Sequence, residues 1–371
     1  MNILYITFVD IKNKESIGVE KKIIGQVKAI KANGNKVMYS FCEDDKFYLV
    51  DDCGEKKLIC KFKGRIDKRL HMYNKKIIDL IKQNNIDSVY IRYALSDMML
   101  IMFLKKIKKL NVKIYLDIPT YPYDKDVDKK KMIIDKFFRQ FIHKYVDNVI
   151  ISSNKVDRVF NIEATFIDNC VDIDSIKYTE HKYYLEKECI ELLAVSFIRK
   201  SNGYDRLIMG LKEYYSQNNL DKIVKLKLVG PVEKENNLKH MVDKYNLENY
   251  VSFEGVKTGE ELDMYFECSD IAIGALGDHR VGIKYKAPLK SREYCARGIP
   301  FISAIKDPGF KGNEDFILTF DGNDTPIDIH KIIKFYESLA YKNNISQTMR
   351  NYAYENFDWK IKYKNLFEVK K

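Results

Sequence analysis

The chain has 371 residues, 46% hydrophobic and 32% charged, so it can bury more core than one ordinary domain needs, and wholesale disorder is excluded. No run approaches 18 uncharged apolar residues, which excludes a membrane-spanning helix. The opening stretch MNILYITFVD predicts a buried strand rather than a signal peptide, so we expect a cytoplasmic protein.

The first half of the chain alternates strands and helices. Continuous apolar runs, typical of strands covered on both faces, predict strands at 2–9, 36–41, 88–93, 113–118 and 148–153. Helical periodicity predicts helices at 18–32, 71–85, 96–111 and 128–146. Residues 43–65 predict additional strands or loops. Alternation at these lengths indicates an α/β fold with a doubly wound parallel sheet.

The second half repeats this pattern. It predicts strands at 190–196, 225–230, 250–255, 271–276 and 300–304, and helices at 203–218, 234–246, 259–268 and 289–298. Two such layers, joined near 170–185, predict two lobes, with a first domain at 1–172 and a second at 182–350. Ligands of these folds bind at the carboxyl ends of the strands, here in the cleft between the lobes.

The positive charge is concentrated in the first half. The net charge is +11; residues 1–180 hold 34 Lys and Arg against 25 Asp and Glu, and residues 181–371 hold 30 against 28. Three basic clusters lie in the first half, at 56–76, 105–109 and 129–139. They predict either solvated lysine-rich faces or a surface that meets phosphate, from anionic lipid or nucleic acid.

Several common chemistries have no signature here. Neither dinucleotide-binding G-x-G-x-x-G after the first strand nor G-x-x-x-x-G-K-[ST] is present, and H-E-x-x-H, G-x-S-x-G and kinase motifs are also missing. The seven cysteines show no ligand-like spacing, which predicts reduced thiols and no metal site. Asp126 and Asp128 have the spacing of a metal-binding pair, but they open a lysine-rich helix and are better explained by pairing with its N-terminus.

The segment APLKSREYCARGIPFIS (287–303) carries the strongest chemical signal. Pro288 starts a helix whose free amides favour an anion, and Lys290 adds a cation in the first turn. Because a cation there opposes the helix dipole, a phosphate would explain it. Glu293 lies one turn on, on the same face, where it can accept two ribose hydroxyls. The alternative is a surface ion pair between Lys290 and Glu293.

This segment resembles the donor-site helix of retaining GT-B glycosyltransferases of the family-four type. Further segments resemble that family in the same order: ESIGVEKKIIGQVKAIKANGNKV (15–37, glycine loop and first helix), DNCVDID (168–174, the hinge, with Cys170 replacing Gly), LLAVSFIRKSNGYDRLIMGL (192–211), LKLVGP (226–231), VSFEGVKTGEELDMYFECSDIAIGAL (251–276) and FDWKIKYKNLFE (357–368). A narrower resemblance, to bacterial capsule and surface-polysaccharide transferases, rests on YIRY (90–93), DIPTYPYD (117–124), NGYDRLI (202–208) and GDHRVGI (277–283).

The resemblance implies two Rossmann-like domains facing across a cleft, with residues 355–371 crossing back onto the first. It implies a metal-independent hexosyl- or related transferase that moves sugar with retention from a UDP- or GDP-linked donor onto a lipid-linked oligosaccharide. The nucleotide sugar is a substrate, and no separate cofactor is expected. The implied catalytic residues are Lys290, Glu293 and Arg280. Those implied to hold the donor are Gly18, Arg199, Lys200, Asn202, Val256, His279, Leu289, Lys290 and Glu293.

The sequence departs from the family pattern at several positions. The first member of the paired-glutamate motif is Tyr285, so Asp278, His279 or Arg280 must hold the donor sugar. Phe197 and Asn202 replace the Arg and Lys that normally hold the diphosphate. Arg199 and Lys200 either substitute for them or are exposed loop charges, and His279 either contacts donor or packs. Thr120 and Asp124 stand on the acceptor side, where the family often has histidine.

Other classes of protein compete with this interpretation. A GT-B-fold nucleotide-sugar epimerase would act on the donor without an acceptor, and a two-lobed sugar-binding protein would need export. A nucleic-acid binder would explain the charge, but aromatic residues are not interleaved with the basic clusters. The basic first lobe predicts peripheral binding to the anionic inner face of the plasma membrane through the 56–76 or 105–109 cluster. MMLIMFL (98–104) predicts a core helix, with membrane insertion as the alternative.

Overall fold

The computed structural model describes residues 1–11, 17–73, 75–124, 127–152, 155–218, 220–233, 237–283, 285–364 and 366–367. The chain divides into two compact units. Unit 1 comprises Met1–Asp172 and Trp359–Lys371, and unit 2 comprises Ile173–Asp358. Residues 12–16 of the expected glycine loop, Asp126, and residues 365 and 368–371 of the expected crossing helix lie outside the described residues.

The described elements follow the alternation expected from the sequence. The strands are β1 (Asn2–Ile6), β2 (Lys36–Glu43), β3 (Lys46–Val50), β4 (Lys56–Lys61), β5 (Ser88–Arg92), β6 (Lys113–Ile118), β7 (Asn148–Ile151), β8 (Arg158–Val159), β9 (Ile162–Phe166), β10 (Cys189–Val195), β11 (Ile223–Val229), β12 (Val251–Gly255), β13 (Ile271–Ile273), β14 (Phe301–Ser303) and β15 (Ile317–Thr319). The helices are α1 (Ile17–Ala32), α2 (Gly64–Met72), α3 (Lys75–Gln83), α4 (Met98–Lys108), α5 (Lys129–Phe138), α6 (Tyr204–Tyr215), α7 (Leu238–Lys244), α8 (Gly259–Glu267), α9 (Leu289–Arg297), α10 (Ile329–Ala340), α11 (Ile345–Phe357) and α12 (Trp359–Tyr363).

Two predicted helices differ from the observed ones. The expected helix 71–85 is divided between α2 and α3, and the expected helix 128–146 is α5 followed by a 3-10 helix at Arg139–Lys144. In the first case α2 ends at Met72, and the next residue, Tyr73, is buried against Phe8 and Phe103. Residues 43–65 form the antiparallel strands β3 and β4.

Unit 1 is built on a sheet in the order β4-β3-β2-β1-β5-β6-β7-β9-β8. The six central strands, β2-β1-β5-β6-β7-β9 in sheet order, are parallel. At the edges, β3, β4 and β8 add antiparallel pairs. Helices α3 to α5 cover one face, and α1 and α12 cover the other. The Trp359 ring packs where Gly25 has no side chain, since a Cβ there would lie 2.8 Å from it. This contact fixes α12 on α1.

Unit 2 is built on an all-parallel sheet in the order β12-β11-β10-β13-β14-β15. Counted from β10, this is the order 3-2-1-4-5-6 of a doubly wound nucleotide-binding sheet. The strand order reverses between β10 and β13, and ligands of doubly wound sheets bind at the carboxyl edge beside such a reversal. The predicted α/β class with two parallel-sheet domains is confirmed. In the described part of the chain, no helix is long and apolar enough to cross a membrane.

Candidate active site

The loops that follow β10 and β13 touch through two glycines. Gly203 adopts a left-handed φ of +73°, and a Cβ on it would lie 2.6 Å from the backbone nitrogen of Gly277. A Cβ on Gly277 would in turn lie 2.8 Å from the Gly203 Cα. The amide of Leu276 donates to the Asn202 carbonyl at 3.1 Å. The two loops therefore close on each other by backbone alone, at the point where the strand order reverses.

Lys290 lies in the first turn of α9 and points back to the end of β13. Its Nζ donates to the Gly274 carbonyl at 2.9 Å and lies 5.7 Å from the centre of the Tyr204 ring. Pro288 occupies the N-cap position, and its side chain makes no capping hydrogen bond to the helix amides. A partly buried ammonium and free helix amides thus stand together at the carboxyl edge of unit 2. This combination suits a phosphate.

Glu293 does not pair with Lys290. Its Oε1 accepts from Nε of Arg297 at 3.1 Å, one turn further along α9, and its side chain is 23% exposed. Arg297 also donates to Asp263 at 2.6 Å and stacks on Phe266, with its guanidinium carbon 4.1 Å from the ring centre. This packing holds Arg297 in place, and Arg297 in turn orients the Glu293 carboxylate, which remains partly exposed to solvent.

The loop that follows β13 is held by Arg280. Its guanidinium makes a bidentate contact with Asp205, with 2.8 Å to each carboxylate oxygen. It also donates to Asp324 at 2.6 Å and to the Lys200 carbonyl at 3.0 Å. The bond to Asp205 raises the pKa of Arg280, and the bonds from Arg280 and His279 lower the pKa of Asp324. In unit 2 Arg280 thus joins three segments, and its assignment to the reacting centre stays a prediction.

His279 stands beside this network. Its Nε2 lies 3.1 Å from Oδ1 of Asp324, and its Nδ1 is buried without a hydrogen-bond partner among the described residues. The neighbouring Asp278 is buried, and its two oxygens accept from Lys286 at 3.3 and 3.2 Å. His279 therefore both packs and retains one free ring nitrogen, which leaves donor contact a prediction.

The loop after β10 presents two exposed cations. Arg199 stacks on Phe197, with 4.4 Å between the guanidinium carbon and the ring centre, and Lys200 is exposed. The Asn202 side chain instead turns inward and accepts from the Arg199 amide at 2.6 Å. Arg199 and Lys200 are thus exposed loop charges whose contact with a diphosphate stays a prediction, whereas Asn202 shapes the loop that carries them.

The remaining donor-side candidates lie at other strand and helix ends. Val256 follows the left-handed Gly255 at the end of β12 and is 48% exposed, and Leu289 opens α9 half-buried. In unit 1, Gly18 lies in the first turn of α1, exposed, with nothing within 4 Å of the position a Cβ would take. Backbone there is open to a close approach by a ligand.

The acceptor-side candidates, Thr120 and Asp124, both follow β6 at the carboxyl edge of unit 1. Thr120 is exposed. Asp124 accepts from Arg139 at 3.0 Å and lies 3.3 Å from Nζ of Lys136, and the bond to Arg139 lowers its pKa. Asp124 is therefore engaged in fixing its own loop, while Thr120 is available to an acceptor. The carboxylate of Asp128 caps α5, accepting from Lys130 at 3.1 Å.

Sequence reasoning missed Arg206, a buried cation of α6 that connects two loops of unit 2, the one after β13 and the one after β15. It donates to the Leu276 carbonyl at 2.5 Å, to Thr325 at 2.8 Å and to Asp321 at 3.0 Å. Burial lowers its pKa. An arginine on the otherwise apolar face of α6 was the available signal, because a buried charge needs several partners.

A second missed cluster lies beneath α1 in unit 1. Lys22 is buried and donates to Asn169 at 2.9 Å and Ser152 at 3.3 Å, and burial lowers its pKa to about 8. Nearby, Arg92 donates to the fully buried Asp117 at 3.3 Å. Among the described residues, no group of three or more His, Cys, Asp or Glu could hold a metal ion.

No protein-family model matches the sequence, and no curated protein matches it. Similar solved structures include sucrose-phosphate synthase from Thermosynechococcus elongatus, with a TM-score of 0.64 and 14% identity over 99% of this chain and 97% of that one. The lipopolysaccharide outer core galactosyltransferase WaaB, in its apo form, gives 0.56 and 13% over 98% of both chains. A putative UDP-N-acetylglucosamine 2-epimerase from Listeria monocytogenes gives 0.51 and 11% over 98% and 94%.

The chain has the GT-B fold. The TM-scores of these three structures establish the fold alone, since the identities are 14% or less. The fold does not decide the reaction, because the three include both transferases and an epimerase.

Proposed function

We propose that this GT-B protein is a retaining glycosyltransferase that moves a sugar from a nucleotide-sugar donor onto a lipid-linked oligosaccharide in bacterial surface-polysaccharide synthesis. The observation that carries the proposal is Lys290, held by the Gly274 carbonyl beside the uncapped amides of α9 at the carboxyl edge of unit 2. A cation at the positive end of a helix is unfavourable unless an anion binds there. The diphosphate of a UDP- or GDP-linked sugar is that anion.

The chemistry follows from the position of this charge. As the bond between the sugar C1 and the leaving oxygen breaks, negative charge develops on the outer phosphate, and Lys290 and the α9 amides stabilise it. Arg199 and Lys200 are exposed on the loop after β10 of the same unit and add to the positive field. The acceptor oxygen attacks C1 from the same side, and its proton passes to the departing phosphate. In this mode no protein nucleophile and no metal are required.

The other assignments are peripheral to the broken bond. Glu293 binds the ribose hydroxyls and Val256 contacts the base, and the open backbone at Gly18 of unit 1 suits a phosphate. Thr120 lies on the acceptor side. The lipid-linked acceptor places the enzyme at the inner face of the plasma membrane. WaaB, a lipopolysaccharide galactosyltransferase with the same fold, supports this class of acceptor by analogy.

A panel of nucleotide sugars tests the proposal. Binding of the correct donor or its nucleoside diphosphate raises the melting temperature, because a ligand of the native state stabilises it by mass action. Transfer is then measured as radiolabelled sugar entering a lipid extract. Label that stays in the nucleotide sugar with inverted stereochemistry identifies an epimerase instead. A panel with neither thermal shift nor turnover contradicts both activities.

Replacing Glu293 by glutamine is expected to raise the KM for donor about 10-fold or more, with a smaller fall in kcat. A charged hydrogen bond to ribose is lost far from the reacting atoms, so it acts on ground state and transition state alike. The amide oxygen still accepts from Arg297, which preserves the helix. Glu261→Gln, an exposed change on α8, serves as control. A collapse of kcat at unchanged donor affinity places Glu293 at the reacting centre.

A further inference from the structure

Helix α5 of unit 1 exposes the residues that a helix normally buries. Ile133 is 70% exposed, Ile134 50% and Phe137 58%, and Phe141 of the following 3-10 helix continues the same side, with 5.7 Å between its ring centre and that of Phe137. In a helix on the surface of a soluble domain the apolar stripe faces the core. A contiguous exposed stripe of this kind marks an interaction surface.

Buried hydrogen bonds to Asp135 of α5 fix the outward direction of this stripe. Asp135, fully buried, accepts from the Ser96 amide at 2.6 Å, the Tyr93 hydroxyl at 2.5 Å and the Tyr123 hydroxyl at 2.7 Å. Met132 packs beside it in the core. Because a buried carboxylate without these donors is costly, α5 cannot rotate to bury its isoleucines. The exposed stripe is therefore a fixed feature of the fold.

The stripe is surrounded by positive charge. Lys129, Lys130 and Lys131 are exposed and have no ion-pair partner among the described residues, and Lys144 lies 5.3 Å from the centre of the Phe141 ring. Of the two nearby carboxylates on this segment, Asp128 caps the helix and Asp135 is buried. The positive charge of this face would repel a second copy of the same face. Apolar side chains flanked by lysines match an anionic bilayer.

The clusters at 56–76 and 105–109 also have exposed apolar side chains beside them, such as Ile66 at 81% and Met98 at 60%, but several of their basic residues are paired. In the first, Arg69 donates to Asp97 at 2.5 Å, and Lys76 donates to the Ile59 carbonyl at 2.9 Å. In the second, Lys108 pairs with Asp147 at 2.5 Å. Helix α4 itself buries Leu100, Phe103, Leu104 and Ile107, as a core helix does.

We infer that α5 and the 3-10 helix after it, the α5 surface (residues 129–144), lie in the headgroup region of an anionic membrane, with Ile133, Ile134 and Phe137 inserted. The loop that joins β6 to α5 follows the carboxyl end of β6, so the start of this surface lies at the same edge of unit 1 as Thr120. The inference stands on exposure and charge and does not depend on the transferase proposal.

Fluorescence of the full-length Phe137→Trp variant tests the insertion. The only native tryptophan, Trp359, is 1% exposed and supplies a constant background. With vesicles of phosphatidylcholine and phosphatidylglycerol the emission of the new tryptophan is expected to shift to the blue and to be quenched by bilayer-embedded nitroxide lipid. Vesicles of phosphatidylcholine alone should leave it unchanged. An unchanged emission with anionic vesicles overturns the inference.

Co-sedimentation with the same anionic vesicles locates the surface. Ile133→Ser with Phe137→Ser, and separately the triple reversal Lys129→Glu, Lys130→Glu, Lys131→Glu, are each expected to weaken partitioning roughly tenfold or more. The matched control reverses the exposed Lys105 and Lys106 of α4 and Lys109 directly after it. It changes net charge equally and should weaken binding less. Equal losses in both triple variants, or a lipid-free dimer abolished by the serine variant, overturn the inference. Since no donor or acceptor is present, either failure leaves the transferase proposal untouched.

Discussion

Replacing Lys290 by alanine is expected to lower kcat/KM for sugar transfer by roughly 10²–10³-fold. The ammonium is held at 2.9 Å from the Gly274 carbonyl at the start of α9, where the proposed reaction develops leaving-group charge. Its contact with the phosphate strengthens as the bond breaks, so the loss falls on kcat rather than on donor affinity alone. Steady-state kinetics with the donor identified by the panel measure it.

Two controls separate lost chemistry from lost structure. Lys331→Ala removes one exposed lysine of α10 in the same unit and should leave kinetics unchanged. Lys290→Met keeps the aliphatic stem against Tyr204 and should be as inactive as the alanine variant, because only the charge matters. Equal kcat/KM for wild type and the alanine variant would reject Lys290 as the phosphate ligand.

Replacing Gly203 by alanine is expected to lower the free energy of unfolding of unit 2 by about 2–5 kcal/mol. The residue has a φ of +73°, and a Cβ would come within 2.6 Å of the Gly277 nitrogen and the Leu276 carbonyl carbon. Both obstacles are backbone, so the two loops must separate. Hydrogen–deuterium exchange over residues 192–211 and urea unfolding followed by circular dichroism measure the effect. Tryptophan fluorescence would not, because the single tryptophan, Trp359, lies in unit 1.

Gly282→Ala is the matched control for this change. Gly282 has nearly the same φ, +74°, but nothing lies within 4 Å of the position its Cβ would take. It should cost only the left-handed strain, about 1–2 kcal/mol. The difference between the two variants is therefore the cost of forcing the loops after β10 and β13 apart. Equal destabilisation by both would mean that the close approach of the loops contributes nothing to stability.

Local sequence was sufficient for the fold class. Apolar runs such as NILYI in β1 and NVII in β7 are buried on both faces, and their alternation with amphipathic helices leaves few arrangements other than parallel sheets. The start of α9 could also be predicted from the sequence, since Pro288 marks the beginning of a helix by its local backbone geometry. These features follow from interactions that span at most one or two turns.

Side-chain partners were decided by tertiary structure. Glu293 pairs with Arg297 because Asp263 and Phe266 of α8 hold that arginine in reach. Arg280 binds Asp205, 75 residues away in the chain, whereas the sequence placed it only in a glycine-rich loop near the donor. Coulombic and hydrogen-bond energies depend on distance in space, and sequence spacing does not report that distance beyond a helix turn.

The same limit applies to α5. Its sequence KKKMIIDKFF predicts a helix, but Met132, Ile133, Ile134 and Phe137 occupy more than one side of it, so periodicity does not say which apolar residues face the core. Asp135 decides the orientation, because Ser96, Tyr93 and Tyr123 meet around it only when β5, the β6–α5 loop and α5 are packed together. The sequence by itself determined two α/β units and the start of α9, while anion binding at that start stays a prediction. Which charges are locked in pairs and which apolar residues face outward required the packed structure, since burial and pairing are properties of groups brought together from distant parts of the chain.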